Sequence, residues 1–179
     1  EKRFPYTAGH QRRVAKICRI IAEEMGFSWD RTQGLRMAAA IHDFGKILIP
    51  AAILDKVGDM SAYEMGIIRD HPQSAYDILK DVDFPWPMAQ IVYQHHERMD
   101  GSGYPQGLMG EEILMEARIL AVADILDAIT CFRPYREAMG LDNAIVEIKS
   151  QRGKQLDETV IDTLLSSLSR GKLYLQSMR

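Results

Sequence analysis

Five histidines, His10, His42, His71, His95 and His96, are an ordinary number for 179 residues, but their placement is unusual. His42 is joined to Asp43, and His95-His96 runs into Glu97. All five fall where the hydrophobic pattern starts or stops a helix. Neighbouring side chains on a helix point about 100° apart, so His42 and Asp43 cannot share one apolar face. At a helix end they can converge on one metal ion, or the histidine can simply favour the negative end of the helix dipole. Two consecutive imidazoles after Met88, Ile91 and Val92 are costly to bury without partners. A metal is one such partner, and a solvated helix end is the other reading. Asp124 sits within Ile119, Leu120, Ala121, Val122, Ala123, Ile125 and Leu126, where a carboxylate needs a partner or a metal. Asp127 follows three positions later on the same face and can orient a ligand.

This donor set contains imidazole and carboxylate but no thiolate, which suits Fe, Mn, Co or Ni better than a structural zinc site. Five His and two Asp are too many for one octahedral ion that must also hold water. Two ions bridged by a carboxylate would use them all, and a pair about 3.5–4 Å apart is a standard device for hydrolysing phosphate esters. After His96 comes a loop with Glu97, Asp100, Gly101, Ser102, Gly103, Tyr104 and Pro105. Its glycines permit positive φ and close approach of backbone to a ligand. Tyr104 offers a ring to stack on a base and a hydroxyl, or is a packed tyrosine in a turn-rich loop. Arg133 and Arg136, around Pro134, suit phosphate recognition beside a metal set and otherwise read as a solvated pair.

The elements that must position these groups are helical almost throughout. Val14, Ile17, Ile20, Ile21 and Met25 repeat at helical spacing, and Gly26 stops that helix. Leu35, Ala38, Ala39 and Ile41 predict a second helix ending near Phe44-Gly45. Ile47 to Pro50 is a short apolar stretch closed by proline. Ser61 with Glu64 is a capping box opening a third helix, which Pro72 breaks near Asp70-His71. Pro85 and Pro87 bracket the start of the helix leading to His95. Ile113 to Ile129 is the most apolar helix and is expected to be central. Leu141 to Lys149 and Thr159 to Leu168 are amphipathic, with Asp157 as N-cap of the last. No stretch alternates with period two, and no repeat or linker divides the chain. The expectation is one all-α domain over 1–179, a bundle of about seven helices with a Gly-rich loop beside the metal site.

Composition narrows the function. Net charge is −3, from 22 Lys+Arg against 25 Asp+Glu, so a broadly basic DNA binder is disfavoured and any anionic ligand must be held by local charge. At 46 % apolar residues the chain is not a disordered one. No apolar run approaches the roughly 20 residues that span a bilayer, and no signal-peptide pattern opens the chain. Cys18 and Cys131 lack zinc or redox spacing and read as reduced thiols, which predicts a cytoplasmic setting. The start at Glu1 rather than Met suggests an excised segment.

In combination the motifs resemble those of the HD-GYP domain, a bacterial branch of the HD phosphohydrolases, from about Tyr6 to Leu168. His42-Asp43-Phe44-Gly45-Lys46 is similar to the H-D-x-G-K signature. The run from His95 to Pro105 is similar to H-H-E-x-x-D-G-x-G-Y-P. Ala121-Val122-Ala123-Asp124 and Arg133-Pro134-Tyr135-Arg136 follow in matching order. The resemblance implies an all-α fold and a metal-dependent phosphodiesterase that hydrolyses cyclic di-GMP to pGpG, and in many members on to GMP, using water held between the metals. It implies His10, His42, Asp43, His71, His95, His96 and Asp124 as metal ligands, with Asp43 as the bridge. Lys46 would act catalytically with Asp43, while Gly103, Tyr104, Arg133 and Arg136 would contact substrate. Two divalent ions, Fe or Mn, are expected. A glutamate that accompanies a third metal is replaced by Tyr6, and Cys131-Phe132 depart from the smaller or more polar residues expected there. The resemblance also implies an upstream sensor or receiver domain and diguanylate cyclase (GGDEF) domains as partners, with a homodimer left open. The alternatives are an HD hydrolase of another nucleotide, such as 3′,3′-cyclic GMP-AMP, and a non-catalytic module that binds a dinucleotide or a partner protein.

Overall fold

Nine α-helical segments and no strands make up the described part of the molecule, residues 9–56, 58–130 and 140–173 of a computed structural model. They are α1 (His10–Glu24), α2 (Trp29–Ile41), α3 (Ala51–Leu54), α4 (Ala62–Arg69), α5 (His71–Leu79), α6 (Met88–Gln94), α7 (Met115–Thr130), α8 (Leu141–Ser150) and α9 (Glu158–Ser169). A 3₁₀ turn, Phe44–Leu48, links α2 to α3. Two isolated bridges, Asp100 with Met109 and Arg152 with Leu156, are the only β pairing among the described residues. The all-α expectation holds. The count exceeds about seven because the Pro72 break yields two helices and because four-residue α3 has too little length for a periodic signal.

Local chemistry sets the ends. Gly26, at φ 77°, closes α1: its N–H reaches Glu23 O and the Phe27 N–H reaches Ala22 O, so two otherwise orphaned carbonyls are satisfied. Ser61 and Glu64 form the reciprocal capping box of α4. Pro72 sits in the first turn of α5, where its missing N–H costs nothing, and the chain turns at Asp70. The Asp157 side chain accepts from Val160 N–H and caps α9.

The core gathers on α7. Ile119, Leu120, Val122, Ala123 and Leu126 are fully buried there. Helix α1 packs on both α2 and α7 through Val14, Ile17, Cys18 and Ile21, while α5 packs on α6 and on the 3₁₀ turn. These packings bring four termini together: the starts of α1 and α5 and the ends of α2 and α6. Burial pushes the Cys18 thiol up, so it stays a protonated core residue, as its sequence context implied. Cys131, Phe132 and Tyr6 lie outside the described residues.

Candidate metal centre

Each histidine occupies the helix end expected for it. His10 and His71 open α1 and α5, His42 and His95 cap α2 and α6, and His96 follows directly. Their rings form one contiguous group, with centroids 5.3 Å apart for His10–His42, 5.1 Å for His42–His95, 5.0 Å for His71–His96 and 4.0 Å for His95–His96. His42, His71 and His95 are essentially inaccessible to solvent. Within His71–His95–His96, within His10–His42–Asp124 and within His42–Asp43–His95, one donor atom per residue lies within 4.8 Å of the others.

Hydrogen bonding settles which ring nitrogen faces inward. Nδ1 of His42, His71 and His95 lies 2.8, 2.8 and 2.5 Å from the carbonyls of Ala39, Ile68 and Val92. A carbonyl can only accept, so Nδ1 carries the proton and Nε2 presents a bare lone pair in the neutral ring. The His71 and His95 Nε2 atoms face each other at 3.4 Å. His42 Nε2 is buried with no hydrogen-bond partner. Lone pairs gathered in a buried site repel unless a cation lies among them. Burial holds the His95 imidazole well below its usual range, and His96 at about 3, so both rings stay neutral and able to ligate. The donor chemistry therefore fits a divalent cation.

Asp43 connects the two sides of this group. Its Oδ1 lies 3.4 Å from His71 Nε2 and 3.7 Å from His42 Nε2, while its Oδ2 faces His10 Nε2 at 3.8 Å. Lys46 Nζ donates to that same Oδ2 at 2.7 Å. Burial would raise the Asp43 carboxyl, but the Lys46 ammonium beside it holds it well below the ordinary value. Asp124 Oδ1 lies 3.3 Å from His10 Nε2 and 3.8 Å from His42 Nε2. Its carboxyl is also held well below the ordinary value, burial being outweighed chiefly by the hydrogen bond to His10.

Asp127, which its spacing from Asp124 marks as able to orient a ligand, lies behind His10. His10 Nδ1 donates to Asp127 Oδ2 at 2.7 Å. Burial would lower His10, but its hydrogen bonds to Asp124 and Asp127 raise it to about 9. Sequence reasoning missed Arg13, which grips Asp127 with two bonds of 2.6 and 3.1 Å. Its signal was available: a cation one turn along α1 from His10, on the same face.

Glycines set the approach of the surrounding chain. A Cβ on Gly45 would stand 2.0 Å from His71 O, so only glycine lets the turn after Asp43 touch the start of α5. Gly103 packs likewise: a Cβ there would meet Glu97 Cα and Arg98 N at 2.4 Å. Glu97, quoted in the motif but given no role, is buried, and its carboxylate accepts Gln106 N–H at 2.7 Å and Leu108 N–H at 3.0 Å. The loop is thereby fastened to the histidine pair, and the Tyr104 ring stacks on His96 with centroids 4.7 Å apart. Arg133 and Arg136 lie outside the described residues.

The HD domain family model matches residues 1–160. The chain belongs to the HD domain family. It is similar to the cyclic di-GMP phosphodiesterase response regulator RpfG of Xanthomonas campestris, at 40% identity over 96% of this chain and 45% of that protein. It is also similar to the 3′3′-cGAMP-specific phosphodiesterase 3 of Vibrio cholerae, at 36% identity over 94% of this chain and 37% of that protein. The resemblance to the HD-GYP branch read from the motifs agrees with these relatives. The chain spans less than half the length of either. Among solved structures, Bd1817, a HDG"Y"P protein from Bdellovibrio bacteriovorus, shares the fold, with a TM-score of 0.74 at 22% identity over 89% of this chain and 51% of that one. A cyclic GMP-AMP specific phosphodiesterase of V. cholerae, V-cGAP3, matches at TM-score 0.57 and 33% identity, over 92% of this chain and 37% of that one. No helix among the described residues is long and apolar enough to cross a membrane.

Proposed function

We propose that this chain is a metal-dependent phosphodiesterase domain that hydrolyses cyclic di-GMP to pGpG and onward to GMP. The observation that carries the reading is the Asp43 carboxylate, with one oxygen facing His71 and His42 and the other facing His10. A carboxylate so placed is a natural bridge between two cations. His71, His95 and His96 would hold one ion and His10, His42 and Asp124 the other, with iron or manganese suited to such N and O donors. When bound, the ions supply activation of water and Lewis-acid stabilisation of phosphate charge.

The protein's own groups do the rest. The main-chain carbonyls behind His42, His71 and His95, and Asp127 behind His10, fix ring orientation so that Nε2 stays inward. Lys46 keeps Asp43 ionised and places positive charge beside the position of the scissile phosphate. Tyr104, seated on His96, shapes the rim where the dinucleotide enters. Arg133, Arg136 and the Gly103 segment would complete its cradle. This local field lets a chain of net charge −3 bind a dianion. We further propose that residues 1–179 are the output part of a longer cytoplasmic signalling protein with a sensor or receiver domain, meeting diguanylate cyclase (GGDEF) domains and open to homodimerisation.

The deciding experiment is Asp43→Ala, assayed by metal analysis and cyclic di-GMP turnover on anaerobically purified protein. Loss of metal together with loss of turnover is expected. Retention of both metals with full activity overturns the assignment. The similarity to a 3′3′-cGAMP-specific enzyme favours one second reading, and a panel of cyclic di-GMP, 3′,3′-cyclic GMP-AMP and cyclic di-AMP separates the two.

A further inference from the structure

A cation stands at the rim of the donor cluster with no use in the mechanism above. Arg69 is the last residue of α4, two positions before His71, and its side chain is exposed. Its guanidinium lies over the Tyr104 ring, 5.4 Å from the centroid. The His96 imidazole stacks on the same ring, centroids 4.7 Å apart, so Tyr104 touches both Arg69 of α4 and a member of the donor cluster. A phenol is neutral at pH 7, so this contact is a cation–π one and leaves the charge of Arg69 uncompensated. No carboxylate among the described residues pairs with it, whereas Lys46 is committed to Asp43. Arg98, close by, is half-buried and donates to Glu97 O at 2.8 Å. Arg69 therefore presents an unspent, planar, bidentate donor fork to solvent, with only the Tyr104 ring linking it to the candidate ligand His96.

A cyclic dinucleotide carries two phosphodiesters, and only one can lie at the donor cluster at a time. The other then lies outside the donor cluster, where a guanidinium at the rim can pair with it through charge-assisted hydrogen bonds. We propose that Arg69 is a substrate-anchoring residue whose guanidinium receives the second, non-scissile phosphate while Tyr104 holds the guanidinium in place. The assignment rests on the phosphodiesterase reading and deepens it. Capture of that phosphate favours a two-phosphate substrate over a simple diester.

The test uses metal-loaded wild type, Arg69→Gln and Arg69→Lys. Cyclic di-GMP, cyclic di-AMP and the single-phosphate diester bis(p-nitrophenyl) phosphate serve as substrates, with calorimetric binding of a hydrolysis-resistant phosphorothioate cyclic di-GMP. For Arg69→Gln we expect KM for both cyclic dinucleotides to rise about 10–100-fold with little change in kcat, the worth of one charge-assisted hydrogen-bond pair. Binding of the phosphorothioate weakens by the same factor, the single-phosphate diester is affected far less, and Arg69→Lys recovers part of the loss. Equal losses on all three substrates would mean that Arg69 only props Tyr104, and would overturn the proposal. A loss confined to cyclic di-GMP would indicate a guanine contact and also overturn it, as would no change at all. Wild type that cleaves bis(p-nitrophenyl) phosphate but neither binds nor cleaves any cyclic dinucleotide defeats the functional reading itself, a result visible before any variant is made.

Discussion

His10 Nδ1 and Asp127 Oδ2 meet at 2.7 Å although 117 positions separate them in the chain, and Arg13 clamps the same carboxylate from the next turn of α1. The pair orients the first ligand of one donor triad from behind. Carboxylates placed in this way keep the outer nitrogen of the ring protonated and the inner one basic. Asp127→Asn keeps the shape and removes the charge. Metal titration should show affinity reduced about 10–100-fold, the usual effect of losing such a supporting group. Unchanged affinity would mean that Asp127 serves only the folding of α7.

Metal removal should be felt in stability, because the buried His42, His71 and His95 rings gather their Nε2 atoms in one place. An ion that binds only the folded state, present at a thousand times its Kd, stabilises by about 4 kcal/mol. Chelation should therefore lower the thermal midpoint of the wild type. In His95→Leu, which replaces an ionisable ring by an apolar side chain, the midpoint should respond far less to chelator or to added metal. A midpoint equally metal-sensitive in both proteins would place the ion elsewhere.

Gly45 is expected to be intolerant of any side chain. An alanine Cβ at 2.0 Å from His71 O must push α5 away from the 3₁₀ turn. Overpacking of this kind costs about 1–3 kcal/mol in denaturant unfolding. The displacement also separates His71 from Asp43, so metal affinity should fall together with stability. A Gly45→Ala protein that loses stability yet keeps full metal affinity would show that the two faces of Asp43 are not jointly needed.

Glu97 tests the loop. Its two oxygens each receive a backbone N–H, and in Glu97→Gln an amide NH2 would oppose one of those donors. Leaving a buried N–H unpaired costs about 1–3 kcal/mol. The release should also free Tyr104 from His96, read as faster proteolysis or hydrogen exchange across 101–110. Protection of that segment at the wild-type level would refute the fastening role.

Acid should weaken the capping box that leads into α4. The Lys56 ammonium and the Ser61 N–H and hydroxyl hold Glu64 at about 2, against an ordinary 4.5. The folded value lies below the unfolded one, so this stabilisation is present above pH 4.5 and is lost as pH falls towards about 2. The stability gap between wild type and Glu64→Gln should hold steady above that window and close within it, as followed by urea unfolding. A gap that persists at the acid end would exclude the carboxylate as its source.

Much of this was readable along the chain. Helix limits announce themselves through short-range chemistry: Gly26 after α1, Ser61 with Glu64 before α4, Pro72 at the α4–α5 break and Asp157 before α9. Asp124 stood out because an acid in an apolar run demands a partner, and Asp127 because residues three positions apart on a helix share a face. Helix α3 was not readable, since four residues give no period. Arg13 and Glu97 were visible as residues but not as actors, because their partners, Asp127 and the 106–108 backbone, come from other elements. Gly45 was quoted in a motif, yet its necessity depends on contact with His71 O.

The sequence by itself determined the helical class, the helix ends and the inventory of imidazole and carboxylate donors. All of these follow from interactions within a few residues, or from composition. Tertiary packing alone decided that the ends of α2 and α6 meet the starts of α1 and α5, that Asp43 turns its two oxygens to different histidines, and that Tyr104 meets both Arg69 and His96. Ligation and charge capture need atoms within a few ångströms of one another. Residues dozens of positions apart reach that distance only when burial of the α1, α2 and α7 faces fixes the helices in one arrangement.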